Sequence, residues 1–310
     1  MIRLIITIPT YNRPDFIQRQ VRDLLPQLQE GVSIVVYDNC SEIPVSSLFT
    51  QDELDRFVIH RNQINVGGAA NLGNCFSRNA DSDWIWLLSD DDKISPTAIA
   101  TIIETIKNNQ DCCYINFQQK KTEKTNSFAE FLDYLTILGA FGTSFFQSAC
   151  LFNMNKLRPF VRYYYDFLSS WIGQIAMVLK YLEANRGEHC LFTTEKIIED
   201  CNVGGWNHLD LIINSSIFVD RFRHLKPMMK NTLFKALCDM DFTLLTQEEV
   251  PVSTKRYYRR YIFKRFGFWN ILKYNRITFV QYLLSVLLPS GIFEKIRNFA
   301  ASKYNKKVSL

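Results

Sequence analysis

Histidine is scarce in this chain, four in 310 residues, and none of its eight cysteines pair at C-x-x-C spacing. No Cys/His cluster therefore resembles a zinc site, and no spaced framework argues for disulfides. Most of the cysteines, Cys112 and Cys113 among them, sit in apolar runs, where a free thiol acts as a small hydrophobe. A reducing cytosol is the simplest expectation. Long apolar runs are missing as well. The nearest approach, Thr278–Phe293, falls short of the ~18 residues of a membrane span and is broken by Pro289. The opening MIRLIITIPTYN has one Arg, a short apolar run and no small-residue cleavage site, so it does not read as a signal peptide. Neither G-x-G-x-x-G nor G-x-x-x-x-G-K-[ST] occurs, which argues against a Rossmann dinucleotide site and a P-loop. Repeats and low-complexity segments are absent too. What is there is an ordinary globular composition, 47% apolar and 14% aromatic, which excludes global disorder.

The net charge of +5 conceals an uneven distribution. Residues 1–219 hold 18 basic and 25 acidic side chains, a net −7. Asp220–Leu310 holds 18 basic and 6 acidic, a net +12. An acidic body thus carries a basic tail, and such a tail suggests an anionic partner.

Along the body, apolar strands alternate with helices. Arg3–Ile8 reads as a strand buried on both faces, and Pro14 opens a helix with Ile17, Val21 and Leu24 at helical spacing. Val32–Tyr37, Phe57–His60, Trp84–Leu88 and Cys112–Phe117 read as further strands, and Pro96–Lys107 as a helix. Beyond residue 120, Glu123–Leu138 and Ser169–Leu182 read as helices and Cys190–Ile197 as a strand; from Ile212 onward the chain reads as helix and loop. This alternation predicts an α/β fold with a mostly parallel central sheet, followed by a helical C-terminal region. Four polar clusters stand where strands end: Pro9–Arg13, Asp38-Asn39, Asn65–Asn71 and Asp90–Asp92. Ligands of open α/β sheets bind at the carboxyl ends of strands, so the four clusters are expected to share one cleft.

Asp90, Asp91 and Asp92 carry the sharpest chemistry. Three adjacent carboxylates repel one another, which costs stability unless a cation is present. Oxygen ligands favour Mg²⁺ or Mn²⁺, which commonly bridge one or two carboxylates to substrate phosphates. A solvated acidic turn, or a cap for the following helix, is the plainer alternative. Asp38-Asn39 suits hydrogen bonding to a base or ribose, or equally an Asx turn. Asn65–Asn71, NVGGAAN, brings backbone close to a ligand at a helix N-terminus, or is simply a tight turn.

ITIPTYNRP (Ile6–Pro14), VVYDNCSE (Val35–Glu42), NVGGAAN (Asn65–Asn71) and WIWLLSDDD (Trp84–Asp92) occur in this order. Together they resemble the nucleotide-sugar domain of the family 2 glycosyltransferases, which have the GT-A fold. The likeness is strong over residues 1–120 and weaker to about 210. Within the family it is nearest to the abequosyltransferase-like enzymes of O-antigen assembly, on the NxGGxxN and WxxxxDDD forms, Tyr165–Leu182 and Gly204–Asn207. The resemblance implies that Pro9, Thr10, Tyr11, Asn12 and Arg13 line the base and ribose. Asp38 would bond the base with Asn39 in support, and Asn65, Gly68 and Asn71 would contact the nucleotide or shape its loop. Asp90 would face the ribose beside Asp91, and Asp90 and Asp92 would hold Mn²⁺ or Mg²⁺, which neutralises the departing diphosphate.

Departures from the family pattern bear on catalysis. The second-strand motif ends early, at Glu42. The Glu-Asp pair that supplies the base in inverting relatives is missing, and such a transfer needs a carboxylate to take the acceptor's proton. Asp166, Glu195, Glu199 and Asp200 are the candidates, with Asp166 and Asp200 foremost. Asp166 follows the aromatic run Tyr163–Tyr165 and is expected to be buried. Trp206 could stack on a sugar, though core packing explains it equally, and His208 could complete a metal shell, though a lone His is more often a plain loop residue. Trp171, ahead of an apolar helical run, is expected in the core.

Val250–Phe293 has no acidic residue but interleaves Lys255, Arg256, Arg259, Arg260, Lys264 and Arg265 with aromatics. A cationic, aromatic helical segment suits an anionic bilayer surface, and a packed helical subdomain is the alternative. No nucleic-acid module is present. The expectation is a glycosyltransferase domain over 1–219 (nucleotide-sugar half 1–120, acceptor half 121–219) and a basic helical region over 220–310. The enzyme would be cytoplasmic, peripheral at the inner face of the cytoplasmic membrane, acting on a nucleotide-sugar donor and a lipid-linked saccharide acceptor. A sugar-phosphate nucleotidyltransferase and an inactive sugar-binding protein on the same fold are the rivals.

Overall fold

The computed structural model describes residues 2–137 and 146–200, and beyond them only scattered positions between Tyr257 and Lys295. Two compact units divide the chain, Met1–Trp206 with Ile213–Phe218, and Asn207–Ile212 with Val219–Leu310. The first begins β1 (Leu4–Thr10), α1 (Pro14–Leu24), β2 (Val32–Asp38), α2 (Gln51–Leu54), β3 (Val58–Arg61), α3 (Gly68–Ser77) and β4 (Trp84–Leu87). It continues β5 (Lys93–Ile94), α4 (Ala98–Asn108), β6 (Cys112–Asn116), β7 (Glu123–Thr125), α5 (Phe128–Ile137) and β8 (Cys150–Asn153). Then come α6 (Met154–Leu157), α7 (Arg162–Asp166), α8 (Gly173–Ala184), β9 (His189–Phe192) and β10 (Ile198–Asp200).

Eight strands form one sheet in the order β3-β2-β1-β4-β8-β6-β9-β7, and β5 pairs with β10 separately. β3, β2, β1 and β4 are parallel neighbours, as are β6 and β9. Only β8 and β7 run against the rest, so the sheet is mostly parallel, as the alternation of elements predicts. Its strands are apolar on both faces because helices cover both: Leu4, Ile6, Ile8, Ile34, Val36, Trp84 and Trp86 are all buried. α1 opens at Pro14 and turns Ile17, Val21 and Leu24 onto this core. Five of the six described cysteines are buried as free thiols within it.

Several boundaries differ from the sequence reading. Glu123–Thr125 is an edge strand, and the helix starts only at Phe128. Ser127 Oγ accepts the Glu130 N–H, and the Glu130 carboxylate accepts the Asn126 N–H, which together fix that start. α8 begins at Gly173 because Trp171 adopts a left-handed conformation, φ 60°, which ends the preceding 3₁₀ turn. The strand expected over Cys190–Ile197 stops at Phe192 and resumes as β10. β8, wedged antiparallel between β4 and β6, was not anticipated at all.

Candidate functional site

β1 and β2 run in register to their ends, Thr10 opposite Asp38, and the Asn39 N–H donates to the Thr10 carbonyl at 3.0 Å. Asp38 lies opposite Arg61 of β3, and the Leu88 N–H donates to the Thr7 carbonyl of β1 at 3.0 Å. The sheet therefore brings the four polar clusters to one edge.

The aspartates form a buried, fully engaged cluster. Thr10 Oγ1 donates to Asp90 at 2.6 Å, and Arg13 Nη1 reaches Asp90 at 3.0 Å and Asp91 at 2.9 Å. Ser89 Oγ donates to the Asp91 carboxylate at 2.6 Å, and Arg19 to the Asp91 carbonyl at 2.9 Å. Ser148 Oγ donates to Asp92 at 2.5 Å and accepts from the Ser89 N–H. Burial raises the Asp90 carboxyl above its ordinary range, and Thr10 and Arg13 only partly oppose this. Burial also works against the Arg13 charge, but Asp90 and Asp91 outweigh it and hold Arg13 above its ordinary value. Repulsion among the aspartates is thus met from within the chain. Among the described residues no three His, Cys, Asp or Glu side chains converge as a metal cage. The oxygen-only donor set nonetheless suits a hard divalent ion, which Asp90 and Asp92 would hold.

Asp38 is fully buried. Its carboxylate accepts from Arg61 Nη1 at 2.5 Å and from the Ser41 N–H at 2.9 Å, and Arg61 also donates to the Ser41 carbonyl. Asn39, Asn62, Asn65 and Asn71 form an amide relay. Asn62 Nδ2 donates to both Asn39 and Asn71, Asn39 Nδ2 donates to Asn65 at 2.7 Å, and Asn71 Nδ2 donates to the Tyr37 carbonyl. Asn39 and Asn65 also accept from the N–H groups of Val66 and Gly67. These amides shape the loop by binding one another. Gly67 takes φ +84°, a conformation that favours glycine.

Asn12, at φ 53°, donates its N–H to Ser41 Oγ at 2.9 Å, and its Oδ1 accepts the Glu42 N–H at 2.8 Å. It thereby ties the β1 turn to the β2 turn. Pro9 is half-buried, and Tyr11 is 43% exposed on the same turn.

Asp166, at the end of α7, is exposed, so the expected burial is absent. Asp200 is exposed on β10, opposite Lys93 and one residue along the partner strand from Asp92. Its neighbour Glu199 pairs with Lys93 at 2.8 Å. Trp171 is half-buried rather than in the core, with its ring against Gly68. Trp206, His208 and almost all of the basic tail lie outside the described residues.

Sequence reading missed Arg61, Asn62, Ser89 and Ser148. Arg61-Asn62 follows a strand as Asp38-Asn39 does, and that signal was readable. Ser148 carries none, because its place depends on β8.

The sequence matches the Glycosyl transferase family 2 model over residues 5–160. No curated protein matches the chain. Among solved structures, residues 1–349 of TarS from S. aureus superpose with a TM-score of 0.59 at 10% identity, covering 91% of this chain and 89% of that one. The TarS complex with UDP-GlcNAc gives 0.57 at 11% identity, covering 91% and 89%, and the UDP complex 0.51 at 12%, covering 92% of each. At such identities the likeness is one of fold. The family match runs through every strand end that builds the β1–β4 site, and the chain belongs to the family 2 glycosyltransferases, with their GT-A fold.

Proposed function

We propose that the chain transfers a sugar, with inversion, from a nucleoside diphosphate donor to a lipid-linked saccharide in bacterial O-antigen or related surface polysaccharide assembly, as an abequosyltransferase-like enzyme. The observation that carries the proposal is the buried aspartate cluster on the strand edge it shares with Asp38 and the amide relay. Pro9, Thr10, Tyr11, Asn12 and Arg13 line the nucleoside side, and Asp38, Asn39, Asn65, Gly68 and Asn71 fix the turns around it. Asp90, Asp91 and Asp92 stand on the diphosphate side. Asp90 and Asp92 would hold Mn²⁺ or Mg²⁺, which supplies charge neutralisation to the leaving diphosphate. Family membership leaves the nucleotidyltransferase rival without support.

For the base, the β5–β10 ladder favours Asp200, because Asp200 lies opposite the residue that follows Asp92. Asp166 is the second candidate, on a helix packed against α3. Asp200→Asn should lower kcat by about 10²–10⁴-fold with donor binding intact, and Asp166→Asn should then be nearly neutral. The reverse outcome would move the base to Asp166.

The membrane partner rests on the tail. Tyr257, Arg260, Tyr261 and Lys264 are helical positions at i, i+3, i+4 and i+7, so they share a face, and Tyr257, Arg260 and Lys264 are exposed. Trp269 is 77% exposed. No helix among the described residues is long and apolar enough to cross a membrane. A cationic, aromatic face of this kind supports docking at the anionic inner face of the cytoplasmic membrane.

A thermal-shift screen of UDP, GDP, CDP and dTDP with Mn²⁺ tests the core of the proposal. At least one nucleotide should stabilise the protein, and Asp92→Ala should abolish the metal-dependent part. An Asp92→Ala protein that responds fully would overturn the metal assignment.

A further inference from the structure

One side chain ties the turn before β8 to the aspartate turn. Ser148 is 0% exposed, within the 3₁₀ turn Gln147–Ala149. Its Oγ accepts the Ser89 N–H at 2.9 Å, and its single hydroxyl proton goes to the Asp92 carboxylate at 2.5 Å. Its carbonyl accepts Trp86 Nε1 at 2.7 Å, and Trp86 is a fully buried residue of β4 whose indole N–H needs an acceptor. The turn itself is fixed from both sides. The Ala149 carbonyl accepts the Phe117 N–H, just beyond β6, at 2.8 Å, and Leu151 of β8 lies opposite Trp86.

Packing fixes the plane of a carboxylate poorly, because the terminal torsion of aspartate is broad rather than staggered. A charge-assisted O–H···O⁻ bond fixes it well, and 2.5 Å is the length of a strong one. Asp90 and Asp91 meet their donors Thr10, Arg13 and Ser89 from positions N-terminal to the triplet. The hydroxyl that meets Asp92 arrives from beyond β6 instead. The sequence reading closes the nucleotide-sugar half at residue 120, so Ser148 is a contribution to the aspartate cluster from the half assigned to the acceptor. Its hydroxyl is also spoken for: with the Ser89 N–H on its oxygen and its own proton on Asp92, it has one orientation.

We infer that Ser148 is a positioning residue for Asp92, its hydroxyl holding the carboxylate in the orientation from which Asp92 takes Mn²⁺ or Mg²⁺. This rests on the reading of Asp92 as a metal-holding carboxylate given above. Groups that orient a ligating carboxylate without touching the ion set its affinity, and losing one costs about 10–100-fold. Orientation matters most for ions of strict geometry, and Mg²⁺ demands a near-ideal octahedron. Ser148 therefore acts on metal affinity through Asp92, and touches neither the nucleoside side nor the acceptor.

Electron paramagnetic resonance of free Mn²⁺ tests this with the full chain, titrated at a saturating level of whichever of UDP, GDP, CDP and dTDP stabilises it. Ser148→Ala should weaken Mn²⁺ by about 10–100-fold, while nucleotide affinity measured by calorimetry without metal stays within about twofold. In turnover, the Mn²⁺ concentration for half-maximal rate should rise by more than kcat falls. Ser148→Cys keeps the volume with a weaker donor, so its Mn²⁺ affinity should fall between wild type and Ser148→Ala. It also carries the test if the alanine variant does not fold. A purely structural serine would lower Tm and leave Mn²⁺ affinity alone. Mn²⁺ affinity within about twofold of wild type in Ser148→Ala, or in Ser148→Cys where alanine does not fold, would therefore overturn the inference. So would an equal loss of metal-free nucleotide affinity. A wild type that binds nucleotide but no Mn²⁺ would overturn the metal reading itself, and is told apart because the failure then precedes any substitution.

Discussion

Replacing Arg13 with methionine isolates the countercharge of the aspartate cluster. Arg13 Nη1 bonds Asp90 at 3.0 Å and Asp91 at 2.9 Å, and those carboxylates are 4% and 8% exposed. Removing one partner of a deeply buried pair costs about 3–5 kcal/mol. Arg13 is itself 37% exposed, so water screens part of the loss, and exposed pairs contribute only about 0–1 kcal/mol. An intermediate cost of about 2 kcal/mol follows. Methionine keeps the apolar stem, and Thr10 and Ser89 still donate to the carboxylates, so the change is mainly one of charge. For a domain of this size about 2 kcal/mol lowers Tm by roughly 4–8 °C. The assay is a thermal melt of both proteins from pH 8 to pH 5. Burial already raises Asp90, and the loss of Arg13 raises it further. The penalty is thus full where Asp90 is ionised and fades as pH falls through its folded-state value. A second series adds Mn²⁺ with the best-binding nucleotide, which should recover more Tm in Arg13→Met than in wild type. A Tm loss under about 2 °C at pH 8 would refute the claim that Arg13 balances the cluster, and a loss that grows on acidification would refute its electrostatic cause.

Asp90→Asn runs the same logic in reverse. Because the folded protein raises Asp90 above its unfolded value, its ionised form costs stability, so the Asn variant should out-melt wild type at pH 8. That advantage should shrink as pH falls through the raised value, with donor binding lost throughout; paired pH melts and calorimetry check both. Gly67→Ala meets no atom within 4 Å, so its cost comes only from the backbone, φ +84° with ψ 152°, a region essentially reserved for glycine, and should be about 1–3 kcal/mol by denaturant unfolding, with Gly67→Asn no milder. Asn62→Leu removes the donor to Asn71 Oδ1 and leaves Asn39 Oδ1 with only the Val66 N–H; it should cost about 1–3 kcal/mol and weaken nucleoside diphosphate binding, measured by calorimetry.

What the sequence showed clearly was periodic and local. Ile6, Ile8, Val36 and Trp86 announce buried strands because a strand covered on both faces has no polar alternation to confuse. The polar residues that follow each strand give away the cleft, since they fall at the carboxyl ends of the parallel strands. The start of α5 was also written in Ser127-x-x-Glu130, though length of helical pattern alone pointed earlier. β8 was hidden for a physical reason. Four residues, all buried, give no periodicity to read, and their place between β4 and β6 depends on pairing with strands more than thirty residues away.

The aspartate triplet shows the same limit at the level of charge. Along the chain Asp90–Asp92 stands alone, and repulsion among neighbours then demands an outside cation. In the fold Arg13 and Thr10 arrive from the end of β1 and Ser148 from the turn before β8, so the demand is met internally. A divalent ion at this edge would therefore compete with a guanidinium already in place.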